Sequence, residues 1–350
     1  MRELYSMGTE YLNHDTPRDA HPIDHPDSDM RRVLEKLSTL GGKPLETLTP
    51  QEARQQPTPT DAVTAILRER GDEVPPKLGV TTRDITIDGA AGSLPARLYR
   101  PEKSEKGDLP LVVYFHGGGW VIADLDVYDG GPRAIAKFAD CAVLSCHYRQ
   151  APENKFPAAH DDAYAAYKWA ITNAAQLGAD PSKVAVMGES AGGNLAINVA
   201  IKARDEGFQA PVHMALIYPV AGVDMTNASY VVNADAKPLN KPMMEWFVKQ
   251  VFTSPEQAKT DPRINLVDLA NLRGLPSATI IRAEIDPLAE EGEMLMRKLK
   301  DADVDVRGDT YAGVTHEFFG MGLVVKDAAI AESFVAHELK RAFGTAILPV

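Results

Sequence analysis

Lys183-Val-Ala-Val-Met-Gly-Glu-Ser-Ala-Gly192 is an apolar run that leads directly into a serine flanked by glycines. A helical pattern follows at once, so the run predicts a buried strand and the glycines predict a sharp strand-to-helix turn. Side chains at Gly188 and Gly192 would collide with the neighbouring elements of such a turn. The turn would raise the Ser190 hydroxyl above the sheet edge at a helix N-terminus, where negative charge is stabilised. The segment therefore predicts a strand-based fold and a serine nucleophile.

Strand and helix patterns alternate along the chain on both sides of this turn. Two alternating segments, 81–88 and 94–99, predict an antiparallel pair ahead of them. The alternation is typical of the α/β class, with a mostly parallel sheet and helices on both faces. The further predicted strands are 111–115, 141–147, 183–187, 212–218, 278–283 and 304–311, and the predicted helices are 30–40, 61–70, 131–139, 158–177, 190–205 and 326–343.

Three consecutive glycines follow another apolar run, in His116-Gly-Gly-Gly-Trp120. Glycines leave backbone N–H groups accessible, as a site for an oxyanion requires. In hydrolases whose serine lies on a strand-turn-helix junction, the loop after an early strand donates one or two N–H groups, here those of Gly117 and Gly118. The residue after the nucleophile, here Ala191, donates another. A phosphate-binding loop is the competing interpretation, but no lysine-serine or lysine-threonine pair follows these glycines. We expect His116 to brace the loop by hydrogen bonding.

A serine nucleophile needs a base, and in this type of hydrolase the acid and the histidine follow the serine in the chain. Three histidines follow Ser190. His213 begins an apolar strand and His337 lies on the polar side of a C-terminal helix, so we expect structural or solvated roles for both. His316 follows the strand 304–311, at the sheet edge where ligand sites of open α/β folds form. Because the base must be neutral, activity is expected to fall as the pH drops through about 6.5 or below.

The acid that orients this histidine is predicted to be Asp286. It follows the apolar strand 278–283 and precedes Pro287, which favours the start of a helix. Asp286 therefore has a second interpretation as a helix cap, and one oxygen could cap while the other faces His316. Glu284, near the same strand end, is the alternative acid.

These motifs together resemble the bacterial hormone-sensitive-lipase family of carboxylesterases. The resemblance rests on His116–Trp120, Gly188–Gly193, Asp286–Leu288 and His316, with a further match at Tyr148–Glu153. It implies an α/β-hydrolase fold with a helical cap, no metal or cofactor, and hydrolysis of short- to medium-chain acyl esters. Carried over by position, it implies Ser190, Asp286 and His316 as a catalytic triad and Gly117, Gly118 and Ala191 as oxyanion donors.

The chain departs from the family pattern at three positions outside the triad. His147 lies where the family usually has an aspartate, which concerns a structural charge contact of Arg149. Glu189 and Glu290 are acidic residues at positions where aspartate is more usual.

The region 222–262 interrupts the alternation and predicts a cap insertion. We assign 1–80 to a segment that contributes to the cap, and 81–221 with 263–350 to the catalytic domain. The apolar stripe within 241–252 suits a lid helix over an acyl pocket, because methionine adapts to varied ligands; alternatively it packs the lid onto the core. The predicted substrate contacts are Trp120, Met243, Met244, Trp246, Phe247 and Phe318.

Composition limits the function classes. The net charge of −12 over 350 residues argues against nucleic acid or an anionic membrane as a partner. Neither a signal peptide nor an apolar run near the length of a membrane span is recognisable, so we expect a cytoplasmic protein. Cys141 and Cys146 are predicted to be buried free thiols on opposite faces of one strand. An N-terminal group of histidines and aspartates, His14 to Asp29, matches no common metal-site spacing.

The sequence thus predicts a serine carboxylesterase acting on a small ester, without a cofactor. An amidase or lactonase with the same triad is an alternative. A binding protein that has lost catalysis on a hydrolase scaffold is another, although all three triad members are present. The family resemblance makes a homodimer conceivable, but no feature of the sequence indicates one.

Overall fold

A computed structural model describes residues 25–102 and 108–346, and an eight-stranded sheet runs through this part of the chain. The strand order is β1-β2-β4-β3-β5-β6-β7-β8. The pairs β1–β2 and β2–β4 are antiparallel, and all the other neighbours are parallel. The strands are β1 (Val80–Asp88), β2 (Ser93–Pro101), β3 (Leu109–Phe115), β4 (Ala142–Cys146), β5 (Ala179–Glu189), β6 (Met214–Ile217), β7 (Ala278–Ile285) and β8 (Val306–Thr315).

Helices precede, connect and follow these strands, and a short 3₁₀-helix (Leu45–Thr47) lies directly before the second α-helix. The α-helices are α1 (Ser28–Thr39), α2 (Pro50–Ala53), α3 (Pro59–Arg70), α4 (Gly130–Ala139), α5 (Ala158–Thr172), α6 (Ala174–Leu177), α7 (Ala191–Asp205), α8 (Ala228–Val232), α9 (Lys241–Val251), α10 (Pro255–Thr260), α11 (Leu266–Leu269), α12 (Ala289–Asp301) and α13 (Lys326–Phe343). The predicted α/β class, with a mostly parallel sheet flanked by helices, is confirmed.

Two details differ from the sequence prediction. The helix expected over 158–177 is divided at Asn173, which has non-helical backbone angles and whose side-chain amide donates to the Trp169 carbonyl oxygen at 2.9 Å. That local hydrogen bond competes with continuation of the helix. Strand β5 begins at Ala179, earlier than the apolar run, because Ala179 pairs with Leu109 of β3.

The sheet separates two hydrophobic cores. Strand β3 is buried over its whole length because helices cover both of its faces, which explains its uninterrupted apolar sequence. Both cysteines are free and buried. Cys146 belongs to one core and Cys141 to the other, as expected for side chains on opposite faces.

The backbone around the turn at Ser190 is closely packed. Ser190 has φ 56° and ψ −119°, a strained conformation for a residue with a side chain. Its N–H donates to the Ile217 carbonyl oxygen at 2.9 Å, and its own carbonyl oxygen accepts the Val220 N–H at 3.2 Å. A Cβ atom at Gly192 would lie 2.0 Å from the Phe115 carbonyl oxygen, and one at Gly188 would lie 2.1 Å from the Gly192 carbonyl oxygen. These contacts give the physical reason for glycine at both positions.

The segment between β6 and β7 contains α8, α9, α10 and α11. Helix α9 contacts the N-terminal segment, because the Trp246 indole N–H donates to the Leu48 carbonyl oxygen at 3.1 Å. The Lys155 ammonium group donates to the carbonyl oxygens of Gln250 and Phe252 at 2.7 and 3.0 Å and ties the end of α9 to the main body. The division into a catalytic domain and a cap stays a prediction.

Replacement of Gly192 by alanine is expected to destabilise the fold by about 3 kcal/mol or more, because backbone atoms of β3 and α7 would have to separate. Urea unfolding measures the change. Gly42→Ala is the matched control, since its nearest contact for a Cβ is an ordinary 3.5 Å from Pro57, and a shift within about 0.5 kcal/mol is expected. Equal stability losses in the two variants would contradict the close-packing argument.

Candidate active site

Three of the predicted site residues form one hydrogen-bonded row. His316 Nε2 lies 3.0 Å from Ser190 Oγ, and His316 Nδ1 lies 2.7 Å from Asp286 Oδ2. All three side chains are buried, and Ser190 is the most accessible at 6 %. Because a carboxylate only accepts, Nδ1 carries the proton, so Nε2 of the neutral ring accepts the Ser190 hydroxyl proton. A nucleophile, a base and an orienting acid are arranged in this way in acyl-transfer sites.

Each of these residues lies just past the carboxyl end of a parallel strand. Ser190 follows β5, Asp286 follows β7 and His316 follows β8. Parallel strands bring their carboxyl ends to the same edge of the sheet, so residues far apart in the chain meet there. The sheet topology therefore explains how residues 126 positions apart come into contact.

Asp286 bonds to His316 and to the turn before α12, but it is not the helix cap that its sequence position suggested, because the N-cap is Leu288 and no side chain bonds there. The Oδ1 atom of Asp286 accepts the Leu288 N–H at 2.8 Å, while Oδ2 faces His316. The alternative acid, Glu284, instead accepts the Gly313 N–H at 2.8 Å and holds the end of β8. The turn at Leu288 thus fixes the carboxylate that faces the imidazole.

The environment of His316 favours its charged form. Burial opposes the imidazolium, but the Asp286 carboxylate, together with the smaller effects of Glu317 and Glu189, raises the pKa of His316 above its ordinary value of 6.5. The sequence expectation of an activity loss near or below that value is therefore corrected upward. The main contact that raises this pKa is tertiary: the fully buried carboxylate of Asp286 lies 2.7 Å from His316 Nδ1.

A cavity opens above Ser190 beside the glycine loop, although not all the predicted oxyanion donors reach this cavity. Gly118 and Gly119 line the cavity together with Ser190 and His316. Gly117 and Ala191 are not among the lining residues, and a Cβ at Gly117 would lie 2.2 Å from the Tyr128 hydroxyl oxygen. Gly118 and Gly119 have φ values of 92° and 58°, which favour glycine. Sequence reasoning missed Gly119, although it belongs to the same glycine run.

His116, which is buried, and His147, which is half-buried, form a hydrogen-bonded pair beside this loop. His116 Nδ1 lies 2.8 Å from the Gly117 carbonyl oxygen, so Nδ1 donates. Nε2 of the neutral ring then accepts from His147 Nδ1 at 2.9 Å. Burial lowers the pKa of His116 to about 3, which keeps the ring neutral. His116 holds the loop in place, and its partner is the residue that departs from the family pattern.

Arg149 keeps a charge contact despite the histidine at 147. Its guanidinium group donates to both carboxylate oxygens of Asp162, at 2.8 and 3.0 Å. The fully buried Asp162 therefore supplies the charge that Arg149 needs.

Glu189, directly before the nucleophile, lies on the other side of the sheet from the cavity. Its carboxyl group accepts from the Tyr114 hydroxyl at 2.6 Å and from the Tyr218 hydroxyl. Burial raises the pKa of Glu189 to about 8. The group therefore anchors the end of β5 to its neighbours in a largely protonated form at neutral pH.

A cavity of about 1000 Å³ opens above the serine. Four of the predicted substrate contacts line it: Trp120, Met243, Met244 and Phe247. Trp246 does not, because its indole donates to Leu48 on the other side of α9. Phe318 does not either; it is buried in the opposite core, with its ring centroid 6.0 Å from that of Tyr218 and 5.5 Å from that of Tyr311. These two predictions of substrate contact are therefore corrected.

Tyr128 and Glu317 are residues of the cavity wall close to His316 that sequence reasoning missed. The Tyr128 hydroxyl donates to Glu317 Oε1 at 2.5 Å, and this oxygen lies 3.9 Å from His316 Nε2. Glu317 has φ 72°, which turns its side chain back toward the cavity. Its position next to His316 in the chain was the one available signal.

The N-terminal histidine and aspartate group lies mostly outside the described residues, which begin at 25. Within that group, Asp29 accepts the N–H groups of Met30 and Lys326, at 2.7 and 2.8 Å. In residues 25–102 and 108–346, no gathering of three or more histidine, cysteine or carboxylate side chains could hold a metal ion. The same stretches contain no helix with the length and apolarity needed to cross a membrane.

Comparisons with known proteins agree with this geometry. A family described as having an alpha/beta hydrolase fold matches residues 112–320. Carboxylesterase NlhH of Mycobacterium tuberculosis is 38 % identical over 274 residues, which are 77 % of this chain and 85 % of the relative. Ethyl acetate hydrolase of Pseudomonas putida is 34 % identical over 81 % of this chain and 88 % of its own length. A hyperthermophilic esterase from Pyrobaculum calidifontis superposes with a TM-score of 0.79 at 34 % identity, covering 89 % of this chain and 96 % of that structure.

Asp286→Asn is expected to lower kcat/KM about 10⁴-fold and to move its acidic limb to lower pH. The wild-type limb should lie above pH 6.5, because activity is lost as the pH falls through the raised pKa of His316. Without the Asp286 carboxylate, only the weaker Coulomb interactions with Glu317 and Glu189 offset the burial of the imidazole, so the pKa of His316 falls. A pH–rate profile measures both effects. Glu284→Gln, which removes the alternative acid, should cost less than about tenfold, and equal losses in both variants would contradict the assignment of the acid.

Glu189→Gln is expected to reduce the loss of stability that occurs between about pH 4.5 and 8. The folded protein keeps a proton on Glu189 up to about pH 8, whereas the unfolded chain releases it near 4.5. Wild-type stability therefore falls as the pH rises through this window. Urea unfolding measures the free energy of unfolding at pH 5 and at pH 8.5. The decrease between these two pH values should be larger in the wild type than in the variant, on the order of a few kcal/mol. A variant with the wild-type pH dependence would contradict this role for Glu189.

Proposed function

The chain belongs to the α/β-hydrolase fold family, among its hormone-sensitive-lipase-type carboxylesterases, and we propose that Ser190, His316 and Asp286 are its catalytic triad. It is a carboxylic ester hydrolase by this relationship. The observation that carries the proposal is the hydrogen-bonded row from Asp286 through His316 to Ser190 at the base of the cavity.

In the proposed reaction, Ser190 Oγ attacks the ester carbonyl carbon while His316 Nε2 takes the hydroxyl proton. Asp286 holds the imidazole in the tautomer that accepts on Nε2 and stabilises the imidazolium that forms. His316 then gives the proton to the leaving alkoxide, which departs as the alcohol. A water molecule repeats the sequence on the acyl-enzyme, so the acid product leaves and Ser190 regains its proton.

The negative charge on the carbonyl oxygen would be stabilised by backbone N–H groups. The sequence assigns Gly117, Gly118 and Ala191 to this role, and the position of Gly119 in the cavity wall adds it as a candidate. The hydrogen bonds from His116 and Tyr148 to the Gly117 carbonyl oxygen, at 2.8 and 3.1 Å, support the role of Gly118. They fix the peptide plane that contains the Gly118 N–H, and preorganised donors are what stabilises an oxyanion.

The lining of the cavity supports acyl groups of short to medium length. Adaptable and aromatic side chains from α9 form its upper wall, including Met243, Met244 and Phe247. The Phe247 ring lies against the glycine loop, where a Cβ at Gly119 would come within 2.3 Å of it. This ring therefore limits the space directly above the reacting carbonyl. The cytoplasmic location and the possible homodimer remain predictions from the sequence.

Hydrolysis of p-nitrophenyl esters from acetate to palmitate is expected to peak at short or medium chains. Ser190→Ala should lower kcat/KM at least about 10³-fold for every ester, because the nucleophile is lost. Ser182→Ala, which removes an exposed serine hydroxyl hydrogen-bonded to Asp180, serves as the control and should retain wild-type activity. Equal activity of wild type and Ser190→Ala would remove Ser190 from the mechanism, and a maximum at palmitate would contradict the proposed acyl range.

A further inference from the structure

Glu317 places a carboxylate beside the nitrogen that handles the proton in the proposed reaction. Its Oε1 lies 3.9 Å from His316 Nε2, on the side of the ring that faces Ser190 rather than Asp286. The side chain is 22 % exposed and lines the catalytic cavity. A bound substrate would therefore meet this carboxylate close to the reacting atoms.

Among the described residues, the basic partner of the carboxylate is the His316 imidazole at 3.9 Å, and the carboxylate also accepts the Tyr128 hydroxyl at 2.5 Å. Arg54, the arginine in the same cavity wall, is occupied by a bidentate contact with Glu153, at 2.9 and 2.7 Å. Three lysines also line the cavity without forming an ion pair with Glu317: Lys43, Lys237 and Lys259. Burial raises the pKa of Glu317, and a cation brought by the substrate would stabilise its charged form.

The position of Glu317 relates it to the alcohol part of an ester. His316 Nε2 must come within about 3 Å of the leaving oxygen to protonate it. The leaving oxygen therefore lies within about 7 Å of Glu317 Oε1, since the two distances add at most. An amino group two carbons from that oxygen lies roughly 4 Å further along the chain, so its charge comes close to the carboxylate when the alcohol points toward Glu317.

The Tyr128 side chain supports this arrangement. It lines the same cavity, and its hydroxyl group donates to Glu317 Oε1 at 2.5 Å. This hydrogen bond holds the carboxylate in place and favours its charged form.

We propose that Glu317, held by the Tyr128 hydroxyl, makes this enzyme selective for esters whose alcohol carries a positive charge two or three atoms from the ester oxygen. The inference rests on the proposed function, since it needs His316 to protonate the leaving alcohol. It assigns a substrate class to the alcohol side of the site, whereas the residues of α9 concern the acyl side. A quaternary or protonated amino alcohol fits the class, and an anionic alcohol is disfavoured by the same carboxylate.

The test compares two acetate esters of nearly equal shape, acetylcholine and its uncharged analogue 3,3-dimethylbutyl acetate. For each enzyme the measured quantity is the ratio of the two kcat/KM values, so that a general change in activity cancels. Glu317→Gln removes the charge but keeps an oxygen that accepts the Tyr128 hydroxyl. The ratio of charged to uncharged ester is expected to fall about tenfold in this variant at pH 8.5.

Glu245→Gln is the matched control, because Glu245 lines the same cavity from the exposed side of α9. It removes the same charge from the same wall, away from His316, and the ratio should stay within about twofold of wild type. An unchanged ratio in Glu317→Gln, including an equal loss for both esters, would overturn the proposal and leave Glu317 a positioning residue for His316. An equal fall of the ratio in both variants would also overturn it, because the effect would then belong to net charge. Failure of the wild-type enzyme on p-nitrophenyl butyrate would instead contradict the proposed function.

Discussion

The first turn of α7 lies so close to the end of β3 that a methyl group at Gly192 would come within 2.0 Å of the Phe115 carbonyl oxygen. Phe115 is also the last residue before the glycine loop, so this contact sets the distance between the nucleophile and the loop. Ser190 keeps its positive φ because β6 and the residues just after it hold its backbone, through the Ser190 N–H to Ile217 and the Val220 N–H to the Ser190 carbonyl oxygen. Strain at one residue is thus maintained by the packing of the whole sheet edge.

Burial of charge is the second constraint, and local hydrogen bonds satisfy it. Asp286 has no exposed surface, yet its two oxygens each have a partner, the Leu288 N–H and His316. His116 remains neutral for the opposite reason, because no carboxylate compensates its burial. Two histidines near one serine therefore have different protonation behaviour, and the difference follows from whether a buried acid lies beside the ring.

The parts of the molecule that could be predicted from sequence depend on local patterns. Apolar runs ending in glycine motifs gave β3, β5 and the turn at Ser190, and chain order pointed to Asp286 and His316. The errors arose where neighbours in the chain point in different directions. Phe247 faces the cavity whereas Trp246 faces Leu48, and Glu317 lines the cavity whereas Phe318 enters the opposite core. The orientation of α9 and the positive φ of Glu317 decide these cases, and both depend on tertiary packing.

In the segment between β6 and β7, the region of α8 is hydrogen-bonded to the proposed catalytic site, whereas α9 is held by contacts elsewhere. In α8, the Ser229 hydroxyl donates to the Pro287 carbonyl oxygen at 2.6 Å, and the Asn233 amide donates to the Asp286 carbonyl oxygen at 3.1 Å. These bonds join α8 to the loop that carries the acid. Helix α9, which supplies the upper wall of the cavity, is held by contacts at its two sides to Leu48 and Lys155. Opening the cavity by displacing α8 would disturb Asp286, whereas displacing α9 would leave the hydrogen-bonded row intact. Of these two helices, α9 is therefore the one whose displacement would widen the cavity without disturbing the row.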